Sequence, residues 1–419
     1  MSVRFNSLFA LLIVLSIQQA MGQGSNSPYS ILGLGKPVPV QNIRTMGMGG
    51  VSVSNGSGLY SNFMNPALLP HNKLTVFEAA YLGEYKQLSD QSTVQNSFGA
   101  NLGYLNFAFP VNNKWTLGVG LRPLSAVNYT VSRLEKIPNR PAFVEYKFEG
   151  SGGLSQVFFS NGFNIWKGLS VGLEIQYIFG SINSDSKSIL NDGSNEYIVG
   201  VFERANYSKV NLKGGLIYIM NLGEKYLLNF GATVQPKVNI TTSQLLSTQR
   251  RTLENIKVQV DTLNFVTDQE VVYPSSYSFG VSLENTGKLL IGADYTMENW
   301  SQYKTTERQN PLKDGYRIGA GIEYTPDYGS VNGYLKRITL RAGVQYEQSP
   351  LNISDNQLED RSVTFGVSLP VVRNFSSVSL AFQYGELSSN STELISEKYF
   401  RFNLGLTIND RWFIKRRVN

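Results

Sequence analysis

The side chains of this sequence that could do chemistry are few. His71 is the only histidine, and there is no cysteine. A thiolate metal site, a Cys nucleophile and a His-paired nucleophile therefore have nothing to stand on. What remains is a set of charges at strand spacing: Arg317, Arg341, Arg401, Glu284, Asp294, Glu323 and Glu347. Mixed signs on one face either pair into a salt-bridge lattice that ties an inner segment to its wall, the favoured reading, or line a polar path. No enzyme, no cofactor and no metal site is expected.

The elements that must position these charges are strands. In "YSFGVSLEN", Tyr277, Phe279, Val281 and Leu283 share a face, and Ser278, Gly280, Ser282 and Glu284 the other. In "YRIGAGIEY", Tyr316, Ile318, Ala320, Ile322 and Tyr324 oppose Arg317, Gly319, Gly321 and Glu323. "ITLRAGVQYE" and "YFRFNLGLTI" repeat the pattern around Arg341 and Arg401. Period 2 means one apolar and one polar face. A soluble sandwich could show it too. The Gly, Ser, Arg and Glu on the second face, and the aromatics recurring near strand ends, favour a membrane barrel with interfacial girdles.

Composition agrees. Aromatics are 12% and charged residues only 16%, with 39 glycines, which suits many strands. After the N-terminus no apolar run approaches a membrane helix. The formal charge of +6 is mild and forms no basic cluster interleaved with aromatics, so nucleic acid is not an expected partner. Fourteen strands are expected between residues 73 and 412. Short turns such as "PVNNKW", "NLGEKY" and "ENTGK" alternate with longer polar connections near 131–145, 183–196, 244–267, 304–312, 350–360 and 387–397. An even count lets the sheet close antiparallel and removes its edges.

Residues 1–22 read as a signal peptide: Arg4, the apolar run from Leu8 to Ile17, and Ala20-Met21-Gly22 as a small-x-small site. Residues 23–72 carry many glycines and prolines but are too apolar for a disordered tail, and are expected to fold as a plug inside the barrel of residues 73–419. In "SNFMNPALLP", Asn65 can bond its local backbone in a turn, and Pro66 keeps that turn out of the neighbouring sheet. Ala67 leaves room for close backbone approach.

"RTMGMGGVSVSNGSGLYSNFMNPALLP" resembles the N-terminal hatch of the FadL family of outer-membrane transporters for hydrophobic compounds. In that family an Asn-Pro-Ala tripeptide, here Asn65, Pro66 and Ala67, closes the hatch before the first strand. "YPSSYSFGVSLENTGKLLIGADYTMENWSQY" resembles the family's Pro…Gly…Tyr…Trp-Ser strand pair, and "LKDGYRIGAGIEYTPD" with "ITLRAGVQYEQSPLN" a further segment. The far C-terminus departs, with Trp412 and Phe413 followed by Lys415, Arg416 and Arg417.

The resemblance implies an all-β, 14-stranded antiparallel transmembrane barrel in the bacterial outer membrane, surrounded by lipid. It implies passive uptake of a hydrophobic small molecule, a long-chain fatty acid or similar. The ligand would be caught in a loop groove, pass a pocket at the hatch and leave sideways through a gap at a kink in the third strand. Pro123 falls in that strand and marks either such a gate or a bulge without transport meaning. In "LLSTQRRTLENIKVQV", Leu246, Leu253, Ile256 and Val260 have helical spacing and could line the groove, with Arg250 or Arg251 near a carboxylate. Alternatively the stretch extends two strands above the membrane. The alternative function is a docking or shuttle barrel for a secreted protein, as the PorV relatives are in type IX secretion.

Overall fold

The computed structural model describes residues 25–410, except 39–40, 57–59, 140–141, 192–196, 305–311, 354, 372–375, 390 and 392–393. The expected signal peptide and the C-terminal tail with Trp412 and Phe413 lie outside the described residues.

The alternating runs form strands. β1 (Lys36–Pro37) lies within the N-terminal segment. The wall begins with β2 (Thr75–Ser89), β3 (Val94–Pro110), β4 (Trp115–Pro123), β5 (Ser125–Lys136), β6 (Phe143–Trp166), β7 (Leu169–Asn191) and β8 (Tyr197–Leu222). It continues through β9 (Tyr226–Gln235), β10 (Val238–Thr252), β11 (Lys257–Tyr273), β12 (Ser276–Asn285), β13 (Leu289–Glu298) and β14 (Gly315–Tyr324). β15 (Thr339–Ile353), β16 (Asn356–Val371), β17 (Ser376–Ser388) and β18 (Ser396–Asp410) complete it. All pairings are antiparallel, and β18 returns to β2 with Asp410 opposite Thr75. Proline separates β4 from β5 after Pro123, β9 from β10 at Pro236 and β11 from β12 at Pro274, because it cannot donate to a ladder. Counting each interrupted pair as one strand, the closed wall has fourteen.

Alternation decides which face is which. Phe279, Val281, Ile318, Ile322, Val344, Phe400, Leu404 and Ile408 project outward and stay exposed, while Arg341, Asn403 and Asp294 are buried inside. So continuous an apolar exterior could not face water, and it matches the lipid band of a transmembrane barrel.

β12, β13 and β14 have 10 residues each, about enough to cross a bilayer. β6, β7 and β8 run to 24, 23 and 26 residues. The connections expected near 183–196 and 244–267 are therefore largely strand: β7 and β8 pair as far as Ile189 and Ile198, and β10 and β11 pair from Val238 to Arg251. β5, β6, β7, β8, β10 and β11 rise together as a tall sheet on one side. Pro123, the positive-φ Gly153 and Gly180, Pro236 and Pro274 mark the level at which this sheet leaves the membrane wall.

The described residues between 25 and 72 fold inside the wall and fill much of the lumen. A 3-10 turn (Pro28–Ile31), β1, a short helix α1 (Ile43–Met46) and a second 3-10 helix (Pro66–His71) punctuate an otherwise irregular path. Asn42 caps α1 by accepting from the Thr45 amide at 2.9 Å. The segment starts near Glu84 and Ser97, at the end of the barrel with long hairpins, and leaves into Thr75 at the end with short turns. Tyr29 and Leu34 pack there with Leu154, Ile178, Ile240, Trp300, Leu351 and Leu387 into an apolar cap.

Candidate functional site: the luminal segment and the fork at Pro123

The luminal segment is held by backbone proximity first. Inward glycines of the wall lie against its main chain. A Cβ on Gly172 would stand 2.4 Å from the Ala67 nitrogen, one on Gly231 2.1 Å from the Val53 oxygen, and one on Gly321 2.3 Å from the Met48 oxygen. Real Cβ atoms do not come so close, so these positions need glycine for space. Asn65-Pro66-Ala67 sits against Gly172 and Gly215 of the wall. The Asn65 side-chain oxygen accepts from the Ala67 amide at 3.0 Å. Its Nδ2 donates to the Val53 carbonyl at 2.9 Å and to Leu216 of β8 at 3.0 Å. Pro66 opens the 3-10 helix where a missing donor costs nothing. One asparagine thus caps a helix and rivets two parts of the luminal segment to the wall.

Charges supply the second layer. Asp294 Oδ2 accepts from the Ser52 and Val53 amides at 2.5 and 2.7 Å. Arg317 pairs with Glu347 at 2.8 Å, Arg341 with Glu323 at 2.6 Å and Arg401 with Glu84 at 2.6 Å. Glu284 lies beside Asn229 of β9. The three arginines are thus ion-paired to carboxylates of the wall, Asp294 instead accepts main-chain amides of the luminal segment, and Arg317 and Asp294 also face the luminal cavity, so neither of the two arrangements the sequence left open is singled out. Near the long-hairpin end, Lys36 and Lys86 both reach Glu397, at 2.9 and 3.3 Å, and Lys86 reaches Glu84 at 3.2 Å. Ser25 donates to Glu84 and Ser27 to Glu397, so the N-terminal residues are tied into the same cluster.

Sequence reasoning missed Lys36, Glu84, Lys86 and Glu397, and also Arg122 and Glu174. Arg122 Nη2 contacts Glu174 Oε1 at 2.6 Å, and its guanidinium lies 4.4 Å from the centre of the Phe158 ring. Ser160 and Gln176 donate to the same carboxylate at 2.5 and 2.7 Å. Glu84 and Lys86 share the inward parity of β2, so the period-2 rule could have found them.

The wall ladder forks beside Arg122. β3 pairs with β4 only from Leu105↔Leu121 to Pro110↔Thr116. Pro123 still faces Ser155 of β6, and the Leu124 amide donates to Leu154 at 2.8 Å. Beyond that point β5 follows β6 and pairs with β1 of the luminal segment, Ser125 opposite Pro37 and Ala126 opposite Lys36. Among the described residues no strand pairing joins β3 to β5. Gly103, the extra residue where the β2–β3 register shifts, borders the same place.

Two cavities meet here. One of about 130 Å³ lies in the lumen, with Lys213, Asp294, Glu298 and Arg317 on its wall. A smaller one of about 20 Å³ is lined by Phe63, Leu82, Gly103, Tyr104 and Pro123. Val38, Gln41, Met64 and Arg122 border both.

The loop groove takes the second of its two forms. Leu246 lies in β10 opposite Asn264, Val260 in β11 opposite Gln249, and Leu253 and Ile256 at the exposed hairpin tip. They share no helical face. Arg250 stacks over Tyr197 at 4.0 Å and Arg251 over Phe202 at 3.7 Å.

A protein-family model described as BamG matches residues 3–419. The chain belongs to the BamG family. No curated protein sequence matches it. Solved structures share the fold of this BamG-family barrel. The CymD monoaromatic hydrocarbon channel is 16% identical with a TM-score of 0.55, covering 91% of this chain and 99% of that one. A FadL homologue of Pseudomonas aeruginosa is 13% identical with a TM-score of 0.58, covering 89% and 99%. The toluene transporter TodX of Pseudomonas putida is 15% identical with a TM-score of 0.57, covering 90% and 99%. The FadL-type likeness of this BamG-family chain is thus one of architecture, spanning nearly the whole barrel.

Proposed function

We propose that the barrel lets small hydrophobic compounds cross the outer membrane passively, with residues 25–72 as hatch and the fork at Pro123 as a lateral opening. The fork is the observation that carries this reading. A wall whose ladder parts on its lipid side lets an apolar solute reach the bilayer without crossing a polar lumen. The apolar side chains of Val38, Phe63, Met64 and Leu82 mark the way to it. Structural neighbours described as a toluene transporter and a monoaromatic hydrocarbon channel support the ligand class. A long-chain fatty acid fits less well. The lumen cavity is smaller than the several hundred Å³ typical of ligand pockets, and the apolar side chains at the long-hairpin end are packed into a closed core rather than a groove.

Pro123→Val restores a donor and a branched side chain suited to a strand. Toluene flux into liposomes carrying the purified barrel should fall about tenfold. Unchanged flux, with closure of the β3–β5 ladder seen by amide exchange, would sink the lateral route.

A further inference from the structure

Among the described residues, nothing pairs with the second edge of β11 beyond Val272. From Lys257 to Val271 it pairs on one side with β10, and among the described residues no strand register forms on its other side, β12 pairing instead with β9 and β13. The membrane-level strands β12 and β13 begin below it, and contact resumes only where the Val272 amide donates to the Lys304 carbonyl. Both faces of β11 are open: Val258, Val260, Leu263 and Phe265 are 49–62% exposed. Among the described residues, the strand therefore presents a row of unmatched amides and carbonyls flanked by apolar side chains, raised clear of the bilayer.

An unmatched strand edge is satisfied by one kind of ligand, another extended chain. Charge narrows the choice. The edge strand bears Asp261, Asp268 and Glu270 against Lys257, an acidic strip on a chain whose formal charge is +6. A second copy would bring the same acidic strip to it and be repelled. We propose that β11 accepts an added β-strand from an extended, basic and apolar segment of a partner protein on the long-hairpin side of the membrane. The backbone ladder would supply affinity, and the acidic groups would select lysine or arginine. This docking is independent of transport, and Pro123→Val leaves it intact.

The test uses the full-length barrel in detergent and a fluorescent synthetic peptide as long as β11, alternating valine with lysine and threonine. It should bind saturably and slow amide exchange along residues 257–270. A peptide N-methylated at alternate residues, or one with glutamate for lysine, should bind at least about tenfold more weakly. Asp261→Lys/Glu270→Lys should lose binding of the basic peptide by a similar factor and gain the acidic one, which a misfolded variant would not do. Equal binding of the N-methylated peptide, no binding of the basic one, or self-association of the barrel through β11 in its place would each overturn the proposal.

Discussion

Gly319 of β14 lies directly against Gly49 of the luminal segment: a Cβ on Gly319 would stand 2.1 Å from the Gly49 carbonyl oxygen. A Cβ on Gly49 would in turn stand 2.5 Å from the Ala320 oxygen and 2.6 Å from the Val344 oxygen, and the φ of Gly49, +66°, suits glycine. Neither backbone can retreat without moving a strand. Gly319→Ala should cost about 1–3 kcal/mol, the range for overpacking a filled interior. It should also expose residues 25–72 to added protease. Gly329→Ala is the control, since its Cβ would meet only Asp327 at 3.6 Å. Equal urea midpoints for the two variants would refute the close-packed contact.

Asp294 anchors the luminal segment through two amides rather than through a cation. Asp294→Ala leaves the Ser52 and Val53 amides buried without their acceptor, at a cost of about 1–3 kcal/mol each. Limited proteolysis should then cut near residues 52–53 before the wall unfolds. A digestion pattern identical to the parent's would show that the contact holds nothing.

Glu174 holds Arg122 through a buried ion pair at 2.6 Å. Glu174→Gln keeps the shape but removes the charge that this pair supplies to the guanidinium, and breaking such a pair costs about 3–5 kcal/mol. Arg122→Met/Glu174→Met should recover most of that loss, because apolar replacements remove both charges together. Thermal melting followed by heat-modifiable gel mobility reads both variants. A double variant no better than the single one would count against a buried pair.

His71 lies at the exit of the luminal segment, with its Nε2 3.3 Å from Ser170 Oγ. Burial, with Lys73 adding repulsion, pushes its pKa down to about 4. The unfolded chain takes up this proton near pH 6.5, but the folded chain does not until about pH 4. Stability is therefore full above pH 6.5 and falls as pH drops through that window, by up to about 3 kcal/mol. His71→Gln should flatten the decline in urea midpoint between pH 6.5 and 4. A decline of the same slope in the variant would assign it to other groups.

The wall was legible because lipid on one side and a filled lumen on the other enforce strict alternation. Phe279, Ile318, Val344 and Phe400 could be placed outward from parity alone. The tall sheet was not legible for the same reason in reverse. β11 from Lys257 onward is exposed on both faces, so no period marks it as a strand. Register shifts in the β10–β11 ladder also break the alternation, which let Leu246, Leu253, Ile256 and Val260 imitate a helical face. Within the lumen, Asn65-Pro66-Ala67 announced a turn, but its rivet to Leu216 depends on a wall strand 151 residues away. The partners of Arg401 and Arg341 were hidden likewise, since strand register decides them and parity does not.

The inward glycines also impose an order on assembly. Main chain touches main chain at Gly172, Gly231, Gly319 and Gly321, which leaves no clearance for a segment to thread into a finished barrel. The seam between β18 and β2 joins the last wall strand to the first and must form late. Residues 25–72 leave the ribosome before any wall strand, so they can serve as the mandrel around which the sheet is wound. A barrel that closed without them would be a kinetically trapped, hollow product with a row of glycines facing water.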